Sequence, residues 1–272
     1  MDHSNRIKCL HDGFVELRDV MGSDASICAA ARLSYGKTTP PKSDDRTLIR
    51  YLMRHYHTSP FEMAEMIFYV RVPIDIWRQW VRHRTASINE HSTRYTAPVD
   101  VPPHIPEAGE WRLQDRNNRQ GSDGGLGEEC GGDITDSYWQ SAASAKAVYG
   151  NAIAHGVSRE QARSILPLCT YTEAAWKIDL HNLMHFLKLR LDPHAQAEIR
   201  EYASAILDLI ENLFPLTMEA FQDYRLNSMQ LTALDIIAIQ RSDWIGDTFT
   251  NERERKEYVA KIETLGIVPL LD

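Results

Sequence analysis

The sequence predicts a mixed α/β (α+β) chain in which a small, mainly antiparallel sheet is flanked by long helices. Residues 64–72 alternate, with Ala64, Met66, Phe68, Val70 and Val72 on one face and Glu65, Ile67, Tyr69 and Arg71 on the other, the period of a half-buried strand. Residues 179–191 and 193–213 repeat their apolar positions every three or four residues, as helices do. The strand-like stretches at 13–20, 64–72 and 171–178 follow one another without a regular strand-helix-strand alternation, so the sheet is not of the parallel type.

In chain order, residues 13–20 alternate as a short strand, and Ser23-Asp24 caps a helix that runs through Cys28 and Arg32 to end near Ser34 and Gly36. A second helix is expected from Asp44 to Tyr56, with Leu48, Ile49, Leu52 and Met53 inward. Pro60 then disfavours helix at Ser59. After the 64–72 strand, Pro73 fits a first helical position, and Ile74, Trp77, Trp80 and Val81 supply an apolar stripe. On that helix Gln79 and Arg82 share a face. The polar run that follows is expected to be extended, with Glu90, Ser92 and Arg94 on one side and His91, Thr93 and Tyr95 on the other.

Residues 97–133 read as a long surface loop: Pro98, Pro102, Pro103 and Pro106 come first, then six of the chain's fourteen glycines between Gly121 and Gly132. A long helix at 135–154 is closed by Gly156. Ser158 and Gln161 have the spacing of a capping box for a short helix that carries Arg163 and stops before Pro167. The helix at 179–191 buries Leu180, Leu183, Met184, Leu187 and Leu191, with His181, His185 and Lys188 on another face. Asp192-Pro193 opens the next, whose stripe is Ile199, Tyr202, Ala203, Ile206, Leu209, Ile210 and Leu213. Residues 1–226 are expected to form the main domain and 227–272 a C-terminal helical extension, in which Asn251 and Glu254 open a charged helix.

At 272 residues, 43% hydrophobic and 25% charged, the chain has ample material for a core. Its net charge of -8 argues against general nucleic-acid binding. Against that background residues 78–95 hold four arginines and one acid, a patch the size of a small-molecule site. Cys9, Cys28, Cys130 and Cys169 form no Cys-x-x-Cys pair and no disulfide framework, so reduced thiols in the cytoplasm are expected. No signal peptide and no membrane span are legible. His55 and His57 alone are a weak metal signal, and His181 with His185 lack an acidic third ligand on their face, so no metal is expected.

The densest chemistry lies from Gln79 to Tyr95, where Arg82, Arg84 and Arg94 stand among His83, Ser87, Asn89, Glu90, His91 and Ser92. Guanidinium groups match planar oxyanions bidentately, so this cluster points to a phosphate or carboxylate ligand. Arg82-His83-Arg84, Ser87, Asn89-Glu90, Ser92 and Arg94-Tyr95 resemble the signature of the flavin-dependent (alternative) thymidylate synthases at all nine of its fixed positions. Ala30–Ser34, His57–Glu62, Ala162–Pro167 and Leu189–Gln196 are similar to that family too.

The resemblance implies the family's fold and conversion of dUMP to dTMP. Methylenetetrahydrofolate would be the carbon donor and NADPH-reduced FAD the reductant, in a homotetramer whose subunits share active sites, without a cysteine nucleophile. It implies dUMP contacts from Gln79, Arg82, Glu90, His91, Ser92, Thr93, Arg94, Arg163 and Arg190, with Arg190 polarising the uracil edge. FAD contacts are implied for Ser34, His57, Ser59, Arg82, His83, Arg84 and Glu90, and at Asp179, His181 and His185. At those last three the chain departs from relatives that carry Asn-x-Arg and a later Asn, and an ionised Asp179 offers acceptors only.

Overall fold

The computed structural model describes residues 5–35, 43–116 and 121–267. The expected helix end at Gly36 lies outside them. The chain divides into two compact units, Met1–Phe221 and Gln222–Asp272.

In the first unit, β1 (Arg6–Cys9) and β2 (Gly13–Met21) form a hairpin, followed by α1 (Asp24–Arg32) and α2 (Asp45–Arg54). A 3-10 turn at Phe61–Met63 leads into β3 (Glu65–Pro73), α3 (Ile74–Trp80) and β4 (Ser87–Glu90). A small hairpin, β5 (Arg112–Gln114) and β6 (Ser122–Gly125), precedes the long α4 (Glu128–Ala154) and the short α5 (Arg159–Ala162). Then come β7 (Tyr171–Asp179), α6 (Leu180–Arg190), α7 (Ala197–Ile210) and α8 (Pro215–Phe221). The main sheet has the order β1-β2-β3-β7-β4 and every pairing is antiparallel.

Alternation places Met66, Phe68, Val70 and Val72 of β3 wholly inside, as the pattern predicts. Helices α3, α6 and α7 cover that face. The core centres on Trp80, whose ring lies 5.1 Å from Trp176, 5.0 Å from Phe186 and 5.7 Å from Tyr202. Aromatic groups of this size supply much of the apolar area a core buries. On the opposite face Tyr69 and Arg71 both bond the Glu173 carboxylate of β7. Asp24 binds α8 to α1, accepting from the Leu216 and Thr217 amides and the Thr217 hydroxyl.

Several expected boundaries move. Pro73 closes β3 and stands just before α3, which ends at Trp80, so Arg82 lies in the turn beyond the helix. The extended run stops at Glu90. From Ser92 the chain turns, with the amides of Tyr95 and Thr96 bonded to the Ser92 carbonyl, and the alternation of Glu90, Ser92 and Arg94 is broken. The loop ends early because α4 begins at Glu128 and takes in Gly131, where a Cβ would stand 1.9 Å from the Ala108 carbonyl oxygen. Helix α7 starts at Ala197, since the Asp192 carboxylate caps the His194 amide in a turn instead of opening a helix. Ser158 bonds the Gln161 side chain directly and makes no capping box. Leu213 is exposed, and Phe214 fills the core in its place.

The second unit contains α9 (Ala233–Gln240), capped by Thr232, and α10 (Glu252–Thr264), capped by Asn251. Ala238, Tyr258 and Ile262 form its core, and Lys261 pairs with the buried Asp235 at 2.6 Å.

Candidate functional site

Edge strand β4 pairs with β7 from Ser87↔Lys177 to Glu90↔Ala174, and the turn from Val81 to Ala86 joins it to α3. That turn faces α6. Arg82, His83, Arg84 and Thr85 line a cavity of about 370 Å³ together with Ile178, Asn182, His185, Leu189 and Arg190. Asn182, His185 and Leu189 come to it together because helical spacings of three and four share a face.

Arg190 donates from Nε to His83 Nε2 at 3.1 Å and from Nη2 to the Gln79 carbonyl at 3.3 Å. The His83 ring stands edge-on to Phe186 at 4.9 Å and to His185 at 5.9 Å. Burial first, then the charge of Arg190 and of His185, bring His83 down to about 4. The imidazole is therefore neutral near pH 7. Its Nε2 accepts, so its proton sits on Nδ1. Burial also lowers Arg190 from the usual arginine range. Arg82 and Arg84 are exposed, and their guanidinium groups have no hydrogen-bond or ion-pair partner among the described residues.

Glu90 lies on the core-facing side of β4. Its Oε2 accepts from Trp77 Nε1 at 3.0 Å and its Oε1 from Thr172 Oγ1 at 2.8 Å. Gln79, on α3, bonds Gln196 through its side chain. Past the strand, His91 Nε2 meets the Thr96 hydroxyl and the Ala97 carbonyl, each at 2.9 Å. Arg163 Nη1 donates to Thr93 Oγ1 at 3.3 Å, and Arg94 stands 3.7 Å from Glu160 of α5. Ser92, Thr93, Arg94 and Arg163 thus form a second cationic group beside the turn.

Of the remaining expected residues only His185 lines the cavity. Ser34 bonds the Ala31 carbonyl just after α1, and His57 and Ser59 are exposed between α2 and the 3-10 turn at Phe61–Met63. The Asp179 carboxylate caps α6, accepting from the Asn182 amide and side chain at 2.9 and 2.7 Å. His181 is half-buried on α6 and is not part of the cavity wall, whereas His185 is. Asn182, Thr85, Trp77 and Thr172 were not legible as site residues. Only the spacing of Asn182 to His185 hinted at one of them. Among the described residues no group of three or more His, Cys, Asp or Glu is placed to hold a metal ion, and no helix is long and apolar enough to cross a membrane.

The cavity suits part of a flavin nucleotide. Ile178 and Leu189 offer apolar wall to a planar ring, Asn182 and His83 offer polar edges, and the two unpaired guanidiniums suit a pyrophosphate or an electron-rich ring.

Comparison with known proteins agrees. The family model described as thymidylate synthase complementing protein matches residues 16–216. The flavin-dependent thymidylate synthase of Wolbachia pipientis wMel is 47% identical over 232 residues, 85% of this chain and 81% of the relative. That of Dictyostelium discoideum is 44% identical over 271 residues, 97% of this chain and 88% of the relative. Among solved structures, the UMP/dUMP methylase PolB from Streptomyces cacaoi, bound with 5-Br dUMP, superposes with a TM-score of 0.72 at 33% identity, covering 81% of this chain and 99% of that one. By sequence and by fold, this chain belongs to the family of flavin-dependent thymidylate synthases.

Proposed function

We propose that the chain converts dUMP to dTMP, taking the carbon from methylenetetrahydrofolate and using FAD reduced by NADPH. The observation that carries the reading is the pairing of neutral His83 with Arg190, beside the unpaired Arg82 and Arg84, in one cavity. When bound, the flavin supplies the redox chemistry.

The chain's own residues bind, orient and polarise. Arg190, fixed by His83 and the Gln79 carbonyl, keeps further N–H donors to set against a uracil oxygen, where negative charge develops as the ring is activated. Arg94 and Arg163, with Ser92 and Thr93, supply donors for the nucleotide phosphate. Gln79, Glu90 and His91 read polar edges of the nucleotide. Arg82, Arg84 and His83 hold the flavin with His185, and Ser34, His57, Ser59 and His181 meet it from their separate surface. Asp179 acts on the flavin only through the end of α6, since its carboxylate is taken by Asn182.

No thiol attack is required. No cysteine lines the cavity, and burial pushes the Cys9 and Cys28 thiols up to about 12. A cavity of about 370 Å³ takes only part of a dinucleotide, and the homotetramer implied by the family resemblance would let copies complete one another's sites. Four cysteines with no disulfide framework suit a cytoplasmic enzyme.

Purified protein is expected to be yellow and to form dTMP from dUMP, methylenetetrahydrofolate and NADPH. A colourless preparation that gains no flavin absorbance on adding FAD, and makes no dTMP, overturns the reading.

A further inference from the structure

Glu90 is an exposed residue on an edge strand, yet both of its carboxylate oxygens are held from the protein side. The donors come from two different elements. Trp77 belongs to α3 and is 3% exposed; Thr172 belongs to β7 and is 4% exposed.

The sheet register explains how they meet. Glu90 stands opposite Ala174, and Ile88 opposite Trp176, so Glu90 shares the inward face of β7 with Thr172, Ala174 and Trp176. Helix α3 packs over the same face and brings the Trp77 indole to the far side of the carboxylate. The flexible side chain is thereby held against two buried donors. A glutamate free to rotate loses rotamer entropy when it is ordered. Here that ordering is complete before any ligand arrives.

Each carboxylate oxygen has two lone pairs. One on each is taken from inside by a buried group. The other on each oxygen is left to a ligand, on a residue that is itself exposed. A carboxylate in this state only accepts, so what it takes is an N–H or O–H of the ligand and not a phosphate or carbonyl oxygen.

We propose that Trp77 and Thr172 are positioning residues for nucleotide recognition: they fix the Glu90 carboxylate so that its remaining lone pairs accept from a hydrogen-bond donor of the bound nucleotide. This rests on the reading of the site as a dUMP site. Neither residue touches the nucleotide. Both act through Glu90, and both are buried where no ligand reaches them. The arrangement also accounts for a buried hydroxyl and a buried indole N–H at this end of the core, each of which would be costly without an acceptor.

The test uses the flavin-loaded protein and dUMP. Thr172→Val keeps the shape of the side chain and removes the hydroxyl. Trp77→Phe keeps an aromatic ring and removes the N–H. Each is expected to raise the dUMP dissociation constant about tenfold, the loss of one charge-assisted hydrogen bond. Thr172→Ser, which keeps the hydroxyl, should restore the affinity. In a Glu90→Ala background Thr172→Val should add nothing further. The proposal is overturned if Thr172→Val and Trp77→Phe bind dUMP as tightly as the unaltered protein, or if Thr172→Ser loses as much as Thr172→Val, which marks a packing role. A crystal structure of the Trp77→Phe, Thr172→Val double variant separates this from the substrate assignment. Glu90 unmoved in that structure refutes the positioning whatever the nucleotide is, whereas Glu90 released from β7 supports it even if the ligand proves not to be dUMP.

Discussion

Arg190 and His83 form a pair in which the charged side chain fixes the tautomer of the neutral one. Nε of Arg190 lies 3.1 Å from Nε2 of His83, and its Nη2 lies 3.3 Å from the Gln79 carbonyl. Arg190 ends α6, Gln79 belongs to α3 and His83 follows α3 in the turn, so one guanidinium joins the two elements that flank the cavity. The donors it spends on the protein decide which remain for a ligand.

Replacing Arg190 by Lys keeps the charge and loses the fork. An ammonium cannot hold both the imidazole and the carbonyl in one plane and still present a donor to the cavity. Arg190→Lys is expected to lower kcat about a hundredfold, the order seen when a donor to a developing oxyanion is removed. Single-turnover formation of dTMP measures it. A kcat within about threefold of the unaltered enzyme would show that charge alone is enough.

His83 also makes stability depend on pH. Its folded pKa, about 4, lies below the ordinary 6.5. Between those values the unfolded chain binds the proton and the folded chain does not, so folding loses stability as the pH falls. The contribution is complete above about 6.5 and drains away through the window down to about 4. His83→Asn removes this titration. Subtracting its unfolding-temperature curve from that of the unaltered protein, over pH 8 to 5, should leave a difference that changes below about pH 6.5 and is flat above it. A flat difference throughout would mean that His83 is as exposed to protons folded as unfolded.

Where one periodicity governs, the sequence reads directly. Met66, Phe68, Val70 and Val72 are all fully buried because a sheet with one covered face permits no other register. The capping serine before α1 and the capping asparagine before α10 bond as their positions imply, since those bonds are local. The failures are tertiary. Ser92 and Arg94 leave the alternation of Glu90 because the chain turns just after His91, whose amide bonds the Glu173 carbonyl of β7, and closes on the Ser92 carbonyl instead. Gly131 and Gly132 read as loop, yet they continue α4, whose close approach to Ala108 excludes a side chain at 131. Strand β1 is too short to show a period and exists through its pairing with β2. In the site, the arginines announce themselves by type. Trp77 and Thr172 do not, because only the sheet register brings them to Glu90.

Arg94 follows Thr93, which accepts from Arg163, and among the described residues its one ion pair is the loose contact with Glu160 at 3.7 Å. Such an exposed pair contributes little and is readily given up to a phosphate. Arg94→Ala is therefore expected to weaken dUMP binding about tenfold or more while leaving FAD binding within about twofold. Titrating the flavin spectrum with dUMP, and the apoprotein with FAD, separates the two. Equal losses of both ligands would place Arg94 in the flavin site.

Arg112 of β5 reaches Glu198 at the start of α7 with Nη2 2.5 Å from Oε1. Burial alone would raise the Glu198 carboxyl, and the hydrogen bond from Arg112 brings it below its usual value. The hairpin is thus tied to the helix whose first turn follows Gln196, the partner of Gln79. Arg112→Ala leaves a carboxylate only 9% exposed without its cation. The expected loss is roughly 2 kcal/mol of stability, below the full value for a buried pair because the arginine end is partly in water. Arg112→Ala with Glu198→Gln removes the stranded charge and should recover about half of that, since what costs most is the unpaired anion and not the missing contact. Urea unfolding of the two variants decides between them. If the double variant is no more stable than the single one, Arg112 holds the hairpin by packing and its charge is incidental.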